Sequence, residues 1–149
     1  MTKILLVDDQ PMLIEMLSEF LIGEGYDVTA HTDGLTALQQ MIALRPDLVI
    51  TDFSMPGMNG GALLTAMRDN AYLNETPVLV LSGRPEYEIG EVCEGYAAYM
   101  RKPAEPLDVL ETVRRLTPAP ARQLHHRTKL DGLLSPIGIG SACIPVPAV

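Results

Sequence analysis

Short apolar runs alternate with amphipathic stretches over the first 116 residues of the chain. Lys3 to Val7, Tyr26 to Ala30, Asp47 to Thr51, Val78 to Leu81 and Ala97 to Arg101 are brief and bounded by Gly, Pro or charged residues. Lys3 to Val7 is a continuous apolar run that predicts a strand covered on both faces, and the other four read as strands too. Between them, apolar residues recur at spacings of three and four, the mark of a helix with one buried stripe. Pro11 opens the first helix, where its missing N–H costs nothing, with Leu13, Met16, Leu17, Phe20 and Leu21 inward. Gly23 and Gly25 close it. Asp33-Gly34 starts a second helix with Ala37, Leu38, Met41 and Ile42 inward, ending before Pro46. Gly60 begins a third, with Leu63, Leu64 and Met67 apolar. Glu105 to Leu116 is the fifth, with Leu107, Leu110 and Val113 inward. The fourth, Pro85 to Glu94, has the weakest pattern: four glutamates, one Gly, and only Ile89, Val92 and Cys93 as anchors. Strands alternating with helices through short loops predict a parallel sheet with helices on both faces.

The strands end on chemistry. The first runs into Asp8-Asp9, the third delivers Asp52 to a turn built on Pro56 and Gly57, the fourth ends at Ser82, and the fifth at Lys102-Pro103. In open parallel sheets, ligands collect at the carboxyl ends of the strands. Two carboxylates about 4 Å apart repel by roughly 4 kcal/mol at an effective dielectric near 20. Three acids at one sheet edge therefore raise one another's pKa values or demand a cation. Oxygen-only ligands suit Mg²⁺ better than zinc or copper.

The chain has 149 residues, is 47% hydrophobic and carries a formal charge of −8, which fits one ordinary domain and not two. The acidic balance argues against nucleic acid as a partner, since such binding needs a basic face. Cys93 and Cys143 lack metal or CxxC spacing and read as reduced thiols. No long apolar run predicts a membrane span, and the start MTKILLVDD lacks a signal peptide's apolar core, so a cytoplasmic location without membrane contact is expected. Composition changes after Leu116. The expected division is a domain over residues 1–117 and a flexible Pro/Gly-rich tail over 118–149, with no output domain.

Taken together, Asp8-Asp9 in LLVDDQP, Asp52 in DFSMPGMNG, Ser82 in VLVLSG and Lys102 in YMRKP resemble the receiver domain of two-component response regulators. Each motif alone is weak; all four in order, each at its own strand end, are specific. The resemblance implies a flavodoxin-like α/β fold, doubly wound, with strand order 2-1-3-4-5. It implies a phosphoprotein rather than an enzyme, in which Asp52 takes a phosphoryl group from a phosphohistidine and becomes 4-aspartylphosphate. Asp9, Asp52 and the main-chain carbonyl of Ser54 would bind Mg²⁺ directly, with Asp8 acting largely through water. Lys102 and Ser82 would contact phosphoryl oxygens, Lys102-Pro103 would be a cis peptide, and Ser82 and Tyr99 would form the switch. The implied partners are a histidine kinase or histidine phosphotransfer protein and a downstream protein target, with the chain a monomer or a phosphorylation-linked homodimer. The segment from Ser82 to Lys102 departs from the family pattern by being short, which predicts a shortened or mobile fourth helix.

Two other readings compete. A receiver-like interaction module that works without phosphorylation is argued against by the intact set of acids, hydroxyl and lysine. A flavin-binding protein on the same sheet order needs a phosphate-friendly loop after the first strand. Asp8-Asp9-Gln10-Pro11 would instead repel the phosphate.

Overall fold

A computed structural model of the chain describes residues 1–117; the predicted tail lies outside the described residues. The elements run β1 (Lys3–Val7), α1 (Pro11–Gly23), β2 (Asp27–His31), α2 (Gly34–Leu44), β3 (Leu48–Asp52), α3 (Gly60–Arg68), β4 (Val78–Ser82), α4 (Glu86–Val92), β5 (Ala98–Arg101) and α5 (Pro106–Leu116). All five strands are parallel, in the order β2-β1-β3-β4-β5, as the resemblance implied. β3 and β4 are buried along their whole length, whereas the edge strands β2 and β5 are partly exposed.

Because side chains alternate across a strand, each strand feeds two cores. Leu5, Val7, Val49 and Val80 pack with Ala37 and Met41 of α2, Leu63, Leu64 and Met67 of α3, and Ile89 of α4. Ile4, Leu6, Ile50, Leu79 and Leu81 pack with Leu17 and Leu21 of α1 and Val109, Leu110 and Val113 of α5. Each Val, Leu, Ile or Met among them contributes about 1.5–3 kcal/mol when taken out of water.

The helix starts follow the sequence. Asp33 and Asn59 cap α2 and α3, accepting from the amides of Thr36 and Ala62 at 2.8 Å each. Pro11 and Pro106 open α1 and α5. Arg45 ends α2 in the left-handed region, just before Pro46.

Several predicted inward residues lie outside. Leu107 is 69% exposed, Val92 66%, Met16 43% and Ile42 42%. The buried stripe of α5 is centred on Val109, Leu110 and Val113, and Leu107 sits two residues before Val109, about 200° around the helix. Met16 and Ile42 each stand one residue, about 100°, away from a fully buried neighbour, Leu17 and Met41. Val92 is the last residue of α4, and the extended Cys93 after it takes the inward place. β2 starts one residue later than predicted, because Tyr26 is buried in the core with its amide donating to the carbonyl of Leu21. α4 spans only seven residues, short as expected.

Candidate functional site

Four strand ends meet at one edge of the sheet. Register sets the meeting: Val7 lies beside Thr51, Asp52 beside Leu81, and Ser82 beside Arg101, so the residues that follow or end these strands share one rim. The loop after β3 is held in place by close backbone contact. The amide of Gly60 donates to the carbonyl of Phe53 at 2.8 Å, and a Cβ on Gly60 would lie 2.5 Å from the carbonyl oxygen of Asp52. Only glycine lets α3 begin that near the end of β3.

Asp8, Asp9 and Asp52 each offer a carboxylate oxygen within 4.8 Å of the others. Asp8 and Asp52 are buried, and Asp9 is exposed. Lys102 faces them: its Nζ is 2.7 Å from Oδ2 of Asp8 and 3.4 Å from Oδ2 of Asp52. Burial holds the Asp52 carboxyl above the usual carboxylate range; Asp8 adds to the rise, while Lys102 and the Ser54 amide pull it down. Asp8 also accepts from the backbone amide of Gln10 at 2.9 Å. Ser54 adjoins the cluster through its amide, 3.4 Å from Oδ1 of Asp52.

Lys102 is aimed by its backbone. Its amide donates to the carbonyl of Ser82 at 2.8 Å, and the Lys102-Pro103 peptide is cis, as the resemblance implied. Ser82 is fully buried, and its Oγ accepts from the Arg84 amide at 3.0 Å. The Tyr99 ring packs partly buried against the core that includes Ile89, and its hydroxyl donates to the carbonyl of Arg84. Tyr99 is thus tied to the loop that leaves Ser82. Arg101 reaches the same loop, with Nε 3.0 Å from the carbonyl of Gly83.

The structure therefore brings together Asp8, Asp9, Asp52 and Lys102, with Ser54 beside them and Ser82 joined through the Lys102 backbone. Sequence reasoning missed Gln10, whose Oε1 accepts from Lys102 Nζ at 3.3 Å. The one available signal was its place between the acids and Pro11. It missed Arg68 as well, which ties the loops beyond α3 to the loop before β5 through carbonyls of Leu73, Asn74, Thr76 and Gly95. Beside Lys102 lies an open cavity of about 370 Å³ with largely apolar walls, among them Leu13, Met16, Leu17 and Leu81. Among the described residues no helix is long and apolar enough to cross a membrane.

The chemistry available follows from these contacts. The three acids are hard oxygen donors close enough to share one small divalent cation, and the donor set fits Mg²⁺. A lysine ammonium beside a buried carboxylate can hold the oxygens of an incoming anion.

A profile described as "Response regulator receiver domain" matches residues 4–114. The DNA-binding response regulator MtrA of Mycolicibacterium smegmatis is 34% identical over 148 residues, covering 98% of this chain and 60% of that protein. The DNA-binding dual master transcriptional regulator RpaA of Synechocystis is 30% identical, covering 78% of this chain and 49% of its own. The chain thus spans about half the length of the curated relatives it matches. Among solved structures, the chemotaxis protein CheY4 of Vibrio cholerae aligns with a TM-score of 0.72 at 32% identity, covering 78% of this chain and 98% of that one. The receiver domain of a sensor histidine kinase from Pseudomonas aeruginosa, solved with a magnesium ion coordinated in its active site cleft, aligns with a TM-score of 0.72 at 25% identity, covering 77% of this chain and 96% of that one.

These relatives correct the expectation that excluded nucleic acid as a partner, because several of them are named as DNA-binding regulators. The acidic charge that motivated the exclusion belongs to a chain matching only part of such proteins. Charge on one stretch carries no information about what another stretch binds.

Proposed function

The chain belongs to the response regulator receiver domain family, and from that premise we propose that Asp52 accepts a phosphoryl group from a phosphohistidine and holds it as an acyl phosphate. An oxygen of the Asp52 carboxylate attacks phosphorus, an O–P bond forms, and the P–N bond to the donor imidazole breaks. The imidazole leaves with the electron pair and takes up a proton. The product is labile to water, which suits a timed signal. The chain promotes both its own phosphorylation and its own loss of phosphate, and it acts in the cytoplasm.

Asp8, Asp9 and Asp52, with the carbonyl of Ser54, would hold Mg²⁺. Bound there, the ion supplies positive charge against the repulsion between the acid cluster and the phosphoryl oxygens. Lys102 holds one phosphoryl oxygen as a point charge. Ser82 turns its hydroxyl from the Arg84 amide toward another, and that movement leads to the output side. Tyr99 hangs from the carbonyl of Arg84, so a shift of the loop at Ser82 alters the anchor of the tyrosine. A phosphoryl group adds about −1.5 to −2 charge, enough to bias a two-state element if its contacts differ between the states.

The observation that carries this reading is the convergence of three aspartate oxygens within 4.8 Å, with Lys102 Nζ 2.7 and 3.4 Å from two of those side chains. The test is intact mass after incubation with Mg²⁺ and acetyl phosphate. Wild type gains one phosphoryl group and Asp52→Asn gains none; equal gain in both overturns the assignment.

A further inference from the structure

We propose that Gln10 is a positioning residue for Lys102, a neutral anchor that keeps the ammonium at the site while leaving its charge free for the phosphoryl group. The inference rests on the phospho-acceptor reading above. An ammonium carries three N–H donors, and here they face three oxygens: Asp8 Oδ2 at 2.7 Å, Gln10 Oε1 at 3.3 Å and Asp52 Oδ2 at 3.4 Å. A lysine can only donate, so the Gln10 atom facing it is the amide oxygen.

Two of those three oxygens belong to acids that the proposed cation and phosphoryl group would also claim. Gln10 alone keeps its acceptor for Lys102. An acid in its place would still hold the ammonium but would put a further negative charge where an anionic donor enters, and an apolar residue would leave a flexible four-carbon stem to be ordered with one contact fewer.

The local fold supports a role beyond helix capping. Gln10 is the N-cap residue of α1, with extended backbone, yet its side chain makes no capping hydrogen bond. Gln is not among the favoured caps. Its backbone amide meanwhile fixes Asp8 Oδ1 at 2.9 Å. One residue therefore holds both partners of the Asp8–Lys102 ion pair, the acid through its main chain and the lysine through its side chain. Substituting the side chain leaves the first contact in place.

Gln10→Met keeps the length and loses the acceptor; Gln10→Glu keeps the acceptor and adds a charge. Initial phosphorylation rates are measured against acetyl phosphate concentration at fixed Mg²⁺, with melting followed by circular dichroism. Gln10→Met lowers the saturating rate about fivefold, in line with one hydrogen bond to a charged group at an exposed site, and leaves the half-saturating donor concentration unchanged. Gln10→Glu restores the saturating rate to within about twofold but needs more donor, because a further acid repels an anionic donor. Gln10→Met phosphorylated at the wild-type rate overturns the proposal. So does equal slowing of both variants, which would trace the loss to the helix start. Wild type that takes up no phosphate overturns the phospho-acceptor reading itself, a result distinct from either.

Discussion

Helices α3 and α4 follow the two strands that carry Asp52 and Ser82, and they are built very differently. α3 has nine residues, a side-chain cap from Asn59 and four buried positions, Gly60, Leu63, Leu64 and Met67. α4 has seven residues, no side-chain cap and one buried position, Ile89. The junction before α3 is packed so tightly that a Cβ on Gly60 would strike backbone, whereas a Cβ on Gly83, before α4, would meet nothing within 4 Å. The fixed side holds the acceptor, and the looser side holds the hydroxyl and the tyrosine that would sense it. A phosphoryl site needs its acids held to a fraction of an ångström, while a signal needs an element that moves at small cost.

The largest test of this contrast is a pair of glycine substitutions. Gly60→Ala should cost about 3 kcal/mol through overpacking against rigid backbone. Gly83→Ala should stay within about 0.5 kcal/mol of wild type. Urea unfolding measures both, and similar costs at the two positions would remove the contrast.

A smaller effect is expected at Arg68, whose guanidinium reaches the Gly95 carbonyl at 2.7 Å and so ties the loop after α4 to the end of α3. Arg68→Met, which removes that bond together with those to the carbonyls of Leu73, Asn74 and Thr76, should raise amide exchange in α4 and the following loop by at least about tenfold and leave the amides of β3 unchanged. Uniform exchange changes across the domain would mean that α4 is not a separate unit.

The smallest effect is a response to alkali. Burial pushes the Cys93 thiol and the Tyr96 and Tyr99 hydroxyls above their ordinary values of 9.0, 10.0 and 10.0, and all three lie between α4 and the end of β5. Acids whose folded pKa is raised contribute stability that is intact below the unfolded value and is lost as pH rises through the folded one. The α4–β5 side should therefore loosen first above about pH 9, seen as faster limited proteolysis there than in α3.

Much of this was legible in the sequence, for definable reasons. Strand ends are marked by a change from apolar to charged residues, so Asp8, Asp52, Ser82 and Lys102 could be placed at one rim before any coordinates. Asp33, Pro11 and Gly60 announce helix starts through local backbone chemistry. What escaped was the direction of each helix relative to the sheet. A spacing of three and four defines a stripe but not its centre, so Met16, Ile42 and Leu107 were put inward when a neighbour one or two residues away takes the buried place. Contacts joining distant residues escaped too. Gln10 lies 92 positions from Lys102, and Arg68 lies 27 from Gly95, with no pattern linking either pair.

The central claim is that the acids that follow β1 and end β3 make Asp52, and no other side chain, a Mg²⁺-dependent phosphoryl acceptor. The direct measurement is to phosphorylate the full chain with acetyl phosphate, trap the acyl phosphate by reduction and map the modified residue by mass spectrometry, with and without a chelator of Mg²⁺. A single modified position at Asp52, lost when the cation is removed, is the predicted result. Modification at another residue, or at Asp52 to the same extent in the presence of chelator, would contradict it.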